Sequence, residues 1–178
     1  MTVATAAVTG ITGYPVNVEV HSALGLPGFT VIGGADVTCR ETRDRVRAAI
    51  ISSGFAWPTT RITVNITPSR AVQTAQCLDL ALAVGILAAD GQIDRDRITE
   101  HAFISELRLD GTLRLPPAGV SLVEAVTTRR VVVAPSMVNE ARIAGRAIVV
   151  SAPDLRALAD ALDGRRSWPE NPVTPPVT

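Results

Sequence analysis

Apolar and polar positions change period several times along the chain, and each change marks an element. Residues 2–8 and 16–21 are rich in Val, Thr and Ala and predict two strands around the turn Gly10-Ile11-Thr12-Gly13. Gly25-Leu26-Pro27-Gly28 predicts a second turn and 29–32 a third strand, after which Gly33-Gly34 punctuates the chain. The period then becomes helical: Cys39, Thr42, Val46, Ala49, Ile50 and Ser53 fall on one face. Thr38 with Glu41 matches a capping box, which predicts a helix start near Thr38, and Gly54 suits its C-terminal cap. Residues 61–66 alternate apolar and polar side chains, as a half-buried strand does.

The run 78–89 is apolar nearly all round, which predicts a buried helix ending near Asp90-Gly91. Asp110-Gly111 lies between alternating runs within 103–115, a strong hairpin signal. Helices at 117–127, 136–143 and 155–162 and strands at 131–134 and 147–151 complete the prediction, with Pro153 and Asp154 opening the last helix. Strand runs alternating with helical ones predict an α/β domain (α+β, mixed sheet) over residues 1–163. Residues 164–178 hold four prolines and little to bury, and read as a linker or a frayed tail.

Composition removes several function classes. Formal net charge is +0 and aromatics are 3%, so neither a general basic field nor a base-stacking platform is present. All 17 basic residues are arginine. Without lysine there is no intact Walker A motif, no Schiff base and no Ser-Lys dyad. Cys39 and Cys77 do not make a disulfide framework. The N-terminus lacks the pattern of a signal peptide, and the most apolar window is too short to span a bilayer. The expected location is the cytoplasm, with no membrane association.

Three segments, GLPGFTVIG, ETRDRVRAAIISSGF and RITVNITP, together form a specific signature, with weaker echoes in DLALAVGILAADGQI and ISELRLDGTLR. The chain resembles, over about residues 2–163, the N-terminal domain of the ComM/YifB family of magnesium chelatase-like AAA+ ATPases. The resemblance implies a ribosomal S5 domain 2-like fold, similar to the Lon proteolytic domain and the C-terminal domain of RadA. It also implies an AAA+ domain in cis after the Pro-rich segment, a hexameric homo-oligomer, and work on DNA in branch migration during natural transformation. ATP and Mg are expected only at such an AAA+ domain, and no cofactor in this chain.

One loop departs from the family. Where members typically read PADLPKEG, this chain has Pro68-Ser69-Arg70-Ala71-Val72-Gln73-Thr74-Ala75-Gln76-Cys77. Lon-type chemistry needs a serine near Leu78 and a lysine near 117–122; the second is missing, and Ser69 and Ser121 have no lysine partner. The expected class is therefore a pseudoprotease fold without catalysis of its own.

Two candidate sites remain. Arg40, Arg43 and Arg47 share one helix face, which could meet a phosphate backbone or a neighbouring subunit, and Arg61 and Arg70 could extend it. The plainer reading is a solvated face with Glu41–Arg45 and Asp44–Arg47 pairs. Cys77 falls at a predicted helix N-terminus, where the dipole lowers a thiol pKa, and either His21 or His101 could serve as its base; an inert buried cysteine is the commoner outcome. No metal-ligand spacing occurs, and Asp94, Asp96 and Glu100 alternate with Arg95 and Arg97 as a solvated loop or helix start does. The expected function is assembly and DNA positioning for an ATPase motor. The alternatives are an oligomerising protein-interaction module without DNA and a hydrolase using Cys77.

Overall fold

The computed structural model describes residues 1–33 and 36–172; Gly34 of the Gly-Gly break and residues 173–178 of the Pro-rich segment lie outside the described residues. Strand β1 (Thr2–Thr9) and strand β2 (Thr12–Ala23) form an antiparallel hairpin in which Thr2 lies opposite Glu19 and Thr9 opposite Thr12. The positive φ of Gly10, 62°, makes its turn, so pairing runs to the hairpin tip and β2 starts earlier than its Val-rich part. Strand β3 (Gly28–Ile32), helix α1 (Asp36–Ser52) and strand β4 (Arg61–Thr67) make a parallel crossover, and β4 pairs antiparallel with β2.

Helix α1 begins at Asp36, two residues before the predicted capping box, so Thr38 lies in the first turn. No breaker stands between Gly34 and Thr38, and an acidic residue at 36 is favoured where free backbone N–H groups gather. The far end follows the expectation. Gly54 takes φ 82°, its N–H donates to Ile51, and the Phe55 N–H reaches back to Ile50, which is a Schellman cap. Helix α2 (Ala75–Ala89) ends the same way: Gly91 has φ 79° and donates to Ala88, while Gln92 donates to Leu87.

Beyond α2 come strand β5 (His101–Ile104) and a small hairpin of β6 (Glu106–Leu107) and β7 (Leu113–Arg114). The turn at Asp110-Gly111 is where the sequence places it, but Phe103 and Ile104 belong to the large sheet. Ser105 separates the two: its hydroxyl sits within hydrogen-bond distance of the Glu106 carbonyl, the Arg114 carbonyl and the Arg114 N–H. Helix α3 (Gly119–Ala125), strand β8 (Arg130–Val133), helix α4 (Val138–Ala144), strand β9 (Ile148–Ser151) and helix α5 (Leu155–Leu162) follow. Asp154 caps α5 by accepting the Ala157 N–H at 2.8 Å.

The seven strands form one mixed sheet in the order β3-β4-β2-β1-β5-β8-β9. The α/β class with mixed pairing therefore holds. Residues 2–67 build four neighbouring strands, residues 101–151 build the other three, and the two groups meet along the parallel pair β1–β5. A buried hydrogen bond crosses that line, from Thr5 Oγ1 to the Phe103 carbonyl at 2.7 Å.

Alternation along the strands decides which helix covers which face. Val3 of β1 and Val16, Val18 and Val20 of β2 point towards α2, where Gly85 lets the helix close in; a Cβ there would stand 2.7 Å from Val20 Cγ2. On the opposite face Gly13 admits the α3 backbone, since a Cβ at 13 would strike the Ser121 carbonyl oxygen. Helix α4 packs on α3 and β9. The outer side of β2, β4 and β3 is left to polar residues, among them Asn17, Glu19 and Thr30, and Asn65 donates to Glu19 there at 2.8 Å.

The segment after α5 does not simply lead away. Trp168 packs on the core, and Asn171 donates to the Val149 carbonyl at 3.0 Å and accepts from Ser151 Oγ at 2.9 Å. Part of the predicted linker thus lies along the β9 edge.

Candidate functional site

Helix α1 carries the arginines singled out from the sequence. Arg40 and Arg47 are exposed, and Arg43 is partly exposed and bonds its neighbour Asp44 at 2.9 Å. Among the described residues neither Arg40 nor Arg47 has a carboxylate partner. The expected pairs Glu41–Arg45 and Asp44–Arg47 are not the ones formed, because Asp44 turns to Arg43 and Arg45 turns inward. Arg47 stands over Trp57, 6.0 Å from the ring centroid, and Trp57 packs against Phe29.

Arg61 and Arg70 flank opposite ends of β4, a seven-residue strand roughly 20 Å long, and do not extend one compact patch. Arg61 opens β4 opposite Gly28, close to the Phe29–Trp57 contact. Arg70 lies in the short 3-10 turn after β4 with its guanidinium 4.3 Å from the Tyr14 ring centroid, at cation–π distance. The basic residues therefore form a strip along α1 with an outlier at each end of β4.

Beside this strip lies a cleft of about 290 Å³ between α1, α2 and the β6–β7 hairpin, lined by Arg45, Gln76, Asp79, Glu106, Arg108 and Arg114 among others. Its floor is an ion pair that sequence reasoning missed. Arg45 grips Asp79 with both arms of its guanidinium, Nε to Oδ2 at 3.0 Å and Nη2 to Oδ1 at 3.2 Å, and Nη2 also reaches Thr42 Oγ1 at 3.4 Å. The Asp79 side chain is 1% exposed and that of Arg45 is 25% exposed. Burial pushes the Asp79 carboxyl up to about 6 against the pull of Arg45, and nearby Glu106 adds to the rise. The hydrogen bond from Arg45 to Asp79 holds the guanidinium above its ordinary pKa. The signal was available: one carboxylate inside an otherwise apolar helix must find a cation.

Cys77 sits in the first turn of α2, as expected, yet its thiol moves in the opposite direction from a helix-activated nucleophile. Burial raises its pKa, with Glu106 and Asp79 adding to the rise, and a backbone hydrogen bond offsets only part. Neither proposed base supports it. His21 is exposed on the outer side of β2, away from α2, and His101 Nδ1 is engaged by the Arg97 carbonyl at 2.8 Å. The cleft is thus built around a buried charge pair. Among the described residues no three His, Cys, Asp or Glu side chains converge as a metal site would require, and no helix is long and apolar enough to cross a membrane.

Comparison with known proteins agrees with the sequence signature. The family model described as subunit ChlI of Mg-chelatase matches residues 18–138, which include α1, α2 and the cleft. The chain is 35% identical over 165 residues to the uncharacterised protein YifB of Escherichia coli K12, covering 92% of this chain and 33% of that protein. It is 33% identical over 162 residues to the competence protein ComM of Haemophilus influenzae, covering 90% of this chain and 32% of that protein. An uncharacterised protein of Mycobacterium tuberculosis H37Rv is 33% identical over 161 residues, 89% of this chain and 29% of its own length. The chain therefore spans about a third of the length of the curated relatives it matches. On its signature, its fold and these matches, the chain belongs to the magnesium chelatase ChlI-like family, alongside YifB and ComM.

Proposed function

We propose that this domain is a non-catalytic assembly and DNA-positioning element of a ComM/YifB-type AAA+ ATPase, whose motor lies in the part of the relatives that this chain does not span. The observation that carries the reading is the strip along α1, where Arg40 and Arg47 are exposed beside Arg43 with no carboxylate partner among the described side chains. A helix face that presents guanidinium groups at spacings of three and four can follow a phosphate backbone without reading bases. The Lon-like architecture, the hexameric ring and the cytoplasmic location belong to the same reading and rest on resemblance. The raised thiol pKa of Cys77 counts against the hydrolase alternative.

A specific observation favours a second reading, in which the exposed surface meets protein. Leu24 and Leu26, in the loop between β2 and β3, are 95% and 78% exposed, and at the other end of β3 Ile32 and Val37 are 51% and 59% exposed. A protein neighbour, including a sister copy, would remove these side chains from water.

Fluorescence anisotropy on a labelled DNA duplex at low salt separates the two. The DNA reading expects binding that weakens steeply with salt and is lost when Arg40, Arg43 and Arg47 are all replaced by alanine. Binding unchanged in that triple variant, or none in the wild type at low salt, sinks it. Light scattering on the same samples tests assembly: a monomer at high concentration would leave ring formation to the motor.

A further inference from the structure

His101 opens β5 and lies opposite Arg130 of β8 in the parallel register. It is 6% exposed, its ring lying 6.2 Å from that of Phe103 and 5.7 Å from that of Trp168. Its Nδ1 must carry a proton, because it faces the Arg97 carbonyl oxygen, which can only accept. Nε2 is then a lone pair, and it is buried with no partner among the described residues; the same holds for Arg130 Nε. Two orphaned polar atoms thus belong to neighbouring residues of adjacent strands that line one cavity.

The segment that closes over them is residues 165–172. Arg165 and Arg166 stay tied to the end of α5, where both backbone N–H groups donate to the Asp160 carbonyl and Arg165 pairs with Asp160 and Asp163. Beyond them the segment is held by the half-buried Trp168 ring and the two hydrogen bonds of Asn171 to the β9 edge. The indole does not fill its seat, since a cavity of about 240 Å³ remains there, lined by Asp96, Arg97, Glu100, His101, Arg130 and Trp168. Docking therefore gains one aromatic side chain and two hydrogen bonds, and buries two polar atoms that would otherwise face solvent.

We propose that residues 165–172 form a reversible strap, docked by Trp168 over the unsatisfied His101–Arg130 pair and released when His101 takes up a proton. Protonation places a second N–H on Nε2, which has no protein acceptor among the described residues, near the positive charge of Arg130 and beneath the Trp168 ring. Of the charged groups around the cavity, Arg97 and Arg130 oppose that proton by charge, while Asp96 and Glu100 favour it; Ala161 and Leu162 of α5 are neutral. Burial, the largest influence, lowers the His101 pKa; the hydrogen bond to the Arg97 carbonyl and the charge of Glu100 raise it, Arg130 lowers it, and the net direction is down. The docked state thus binds the proton less well than the released state, so docking is strongest above the ordinary histidine pKa and fades as pH falls below it.

The test uses the full chain labelled with 5-fluorotryptophan, whose two resonances are assigned through Trp57→Phe and Trp168→Phe. Between pH 8 and pH 5 the Trp168 signal should move towards its solvent-exposed position while far-UV circular dichroism stays constant. One linked proton means a docking equilibrium that falls by up to about tenfold per pH unit. His101→Gln, which cannot take up a proton, should abolish the pH dependence, and Asn171→Ala should release the strap at every pH. If His101→Gln fails to fold, the wild-type titration still decides. A Trp168 signal unmoved across this range, or an identical transition in folded His101→Gln, overturns the proposal.

Discussion

Replacing Arg45 by methionine leaves the Asp79 carboxylate in place with no cation beside it. The structure sets the scale of the loss: two charge-assisted hydrogen bonds, at 3.0 and 3.2 Å, serve a carboxylate whose side chain is 1% exposed. Breaking one side of such a pair costs about 3–5 kcal/mol, whereas replacing both partners by apolar groups is often neutral or stabilising. Arg45→Met should therefore lower unfolding stability by about 3–5 kcal/mol at pH 7, and Asp79→Leu added to it should recover most of that. Urea denaturation of the wild type, both single variants and the double variant closes the cycle.

A pH series adds an independent arm. The folded pKa of Asp79 is raised from 3.8 to about 6, so the folded state binds this proton more tightly than the unfolded chain. The penalty is full above about pH 6 and disappears as pH falls towards 3.8, a difference of up to about 3 kcal/mol. This is opposite in sign to an ordinary salt-bridged aspartate, whose pairing is lost in acid. Without Arg45 the carboxyl pKa climbs further, so the cost of Arg45→Met should shrink between pH 7 and pH 5. A loss below about 1 kcal/mol at pH 7, or one that does not change with pH, would refute the reasoning.

Two smaller perturbations test the packing and the thiol. Gly85→Ala puts a Cβ against Val20 Cγ2 and should cost about 1–3 kcal/mol in thermal or urea unfolding, an unchanged midpoint being the contrary result. In a Cys39→Ser background, Cys77 should react slowly with a disulfide reagent at pH 7 and speed up only in alkali, because its pKa is raised. Reaction at the rate of a free cysteine at pH 7 would restore it as a nucleophile.

What was legible in the sequence was what local chemistry fixes. Gly54 and Gly91 mark helix ends because only a residue at ease with positive φ closes those caps, and Asp110-Gly111 marks its turn for a similar reason. The Thr38–Glu41 box placed the start of α1 only to within two residues, the helix beginning at Asp36, because a motif does not say whether a helix is already under way. Arg45 was assigned to Glu41, its neighbour in sequence, while its partner Asp79 lies 34 residues away on another helix. The His101–Trp168 contact, 67 positions apart, leaves no local trace, since each residue alone looks like an ordinary part of its segment. Long-range pairs of this kind decide both the cleft and the strap.

The line where β1 meets β5 has a consequence for the order of assembly. Each side of it is made from contiguous chain, so the contacts within a side close short loops, while pairing across it must first gather residues nearly a hundred positions apart. Helix α2, which joins the two sides in sequence and packs on β1, β2 and β5, is the element that can draw them together. On contact order, pairing of the second block with β1 is the step that closes the longest loop, and it is expected to follow the shorter-range pairing within each block.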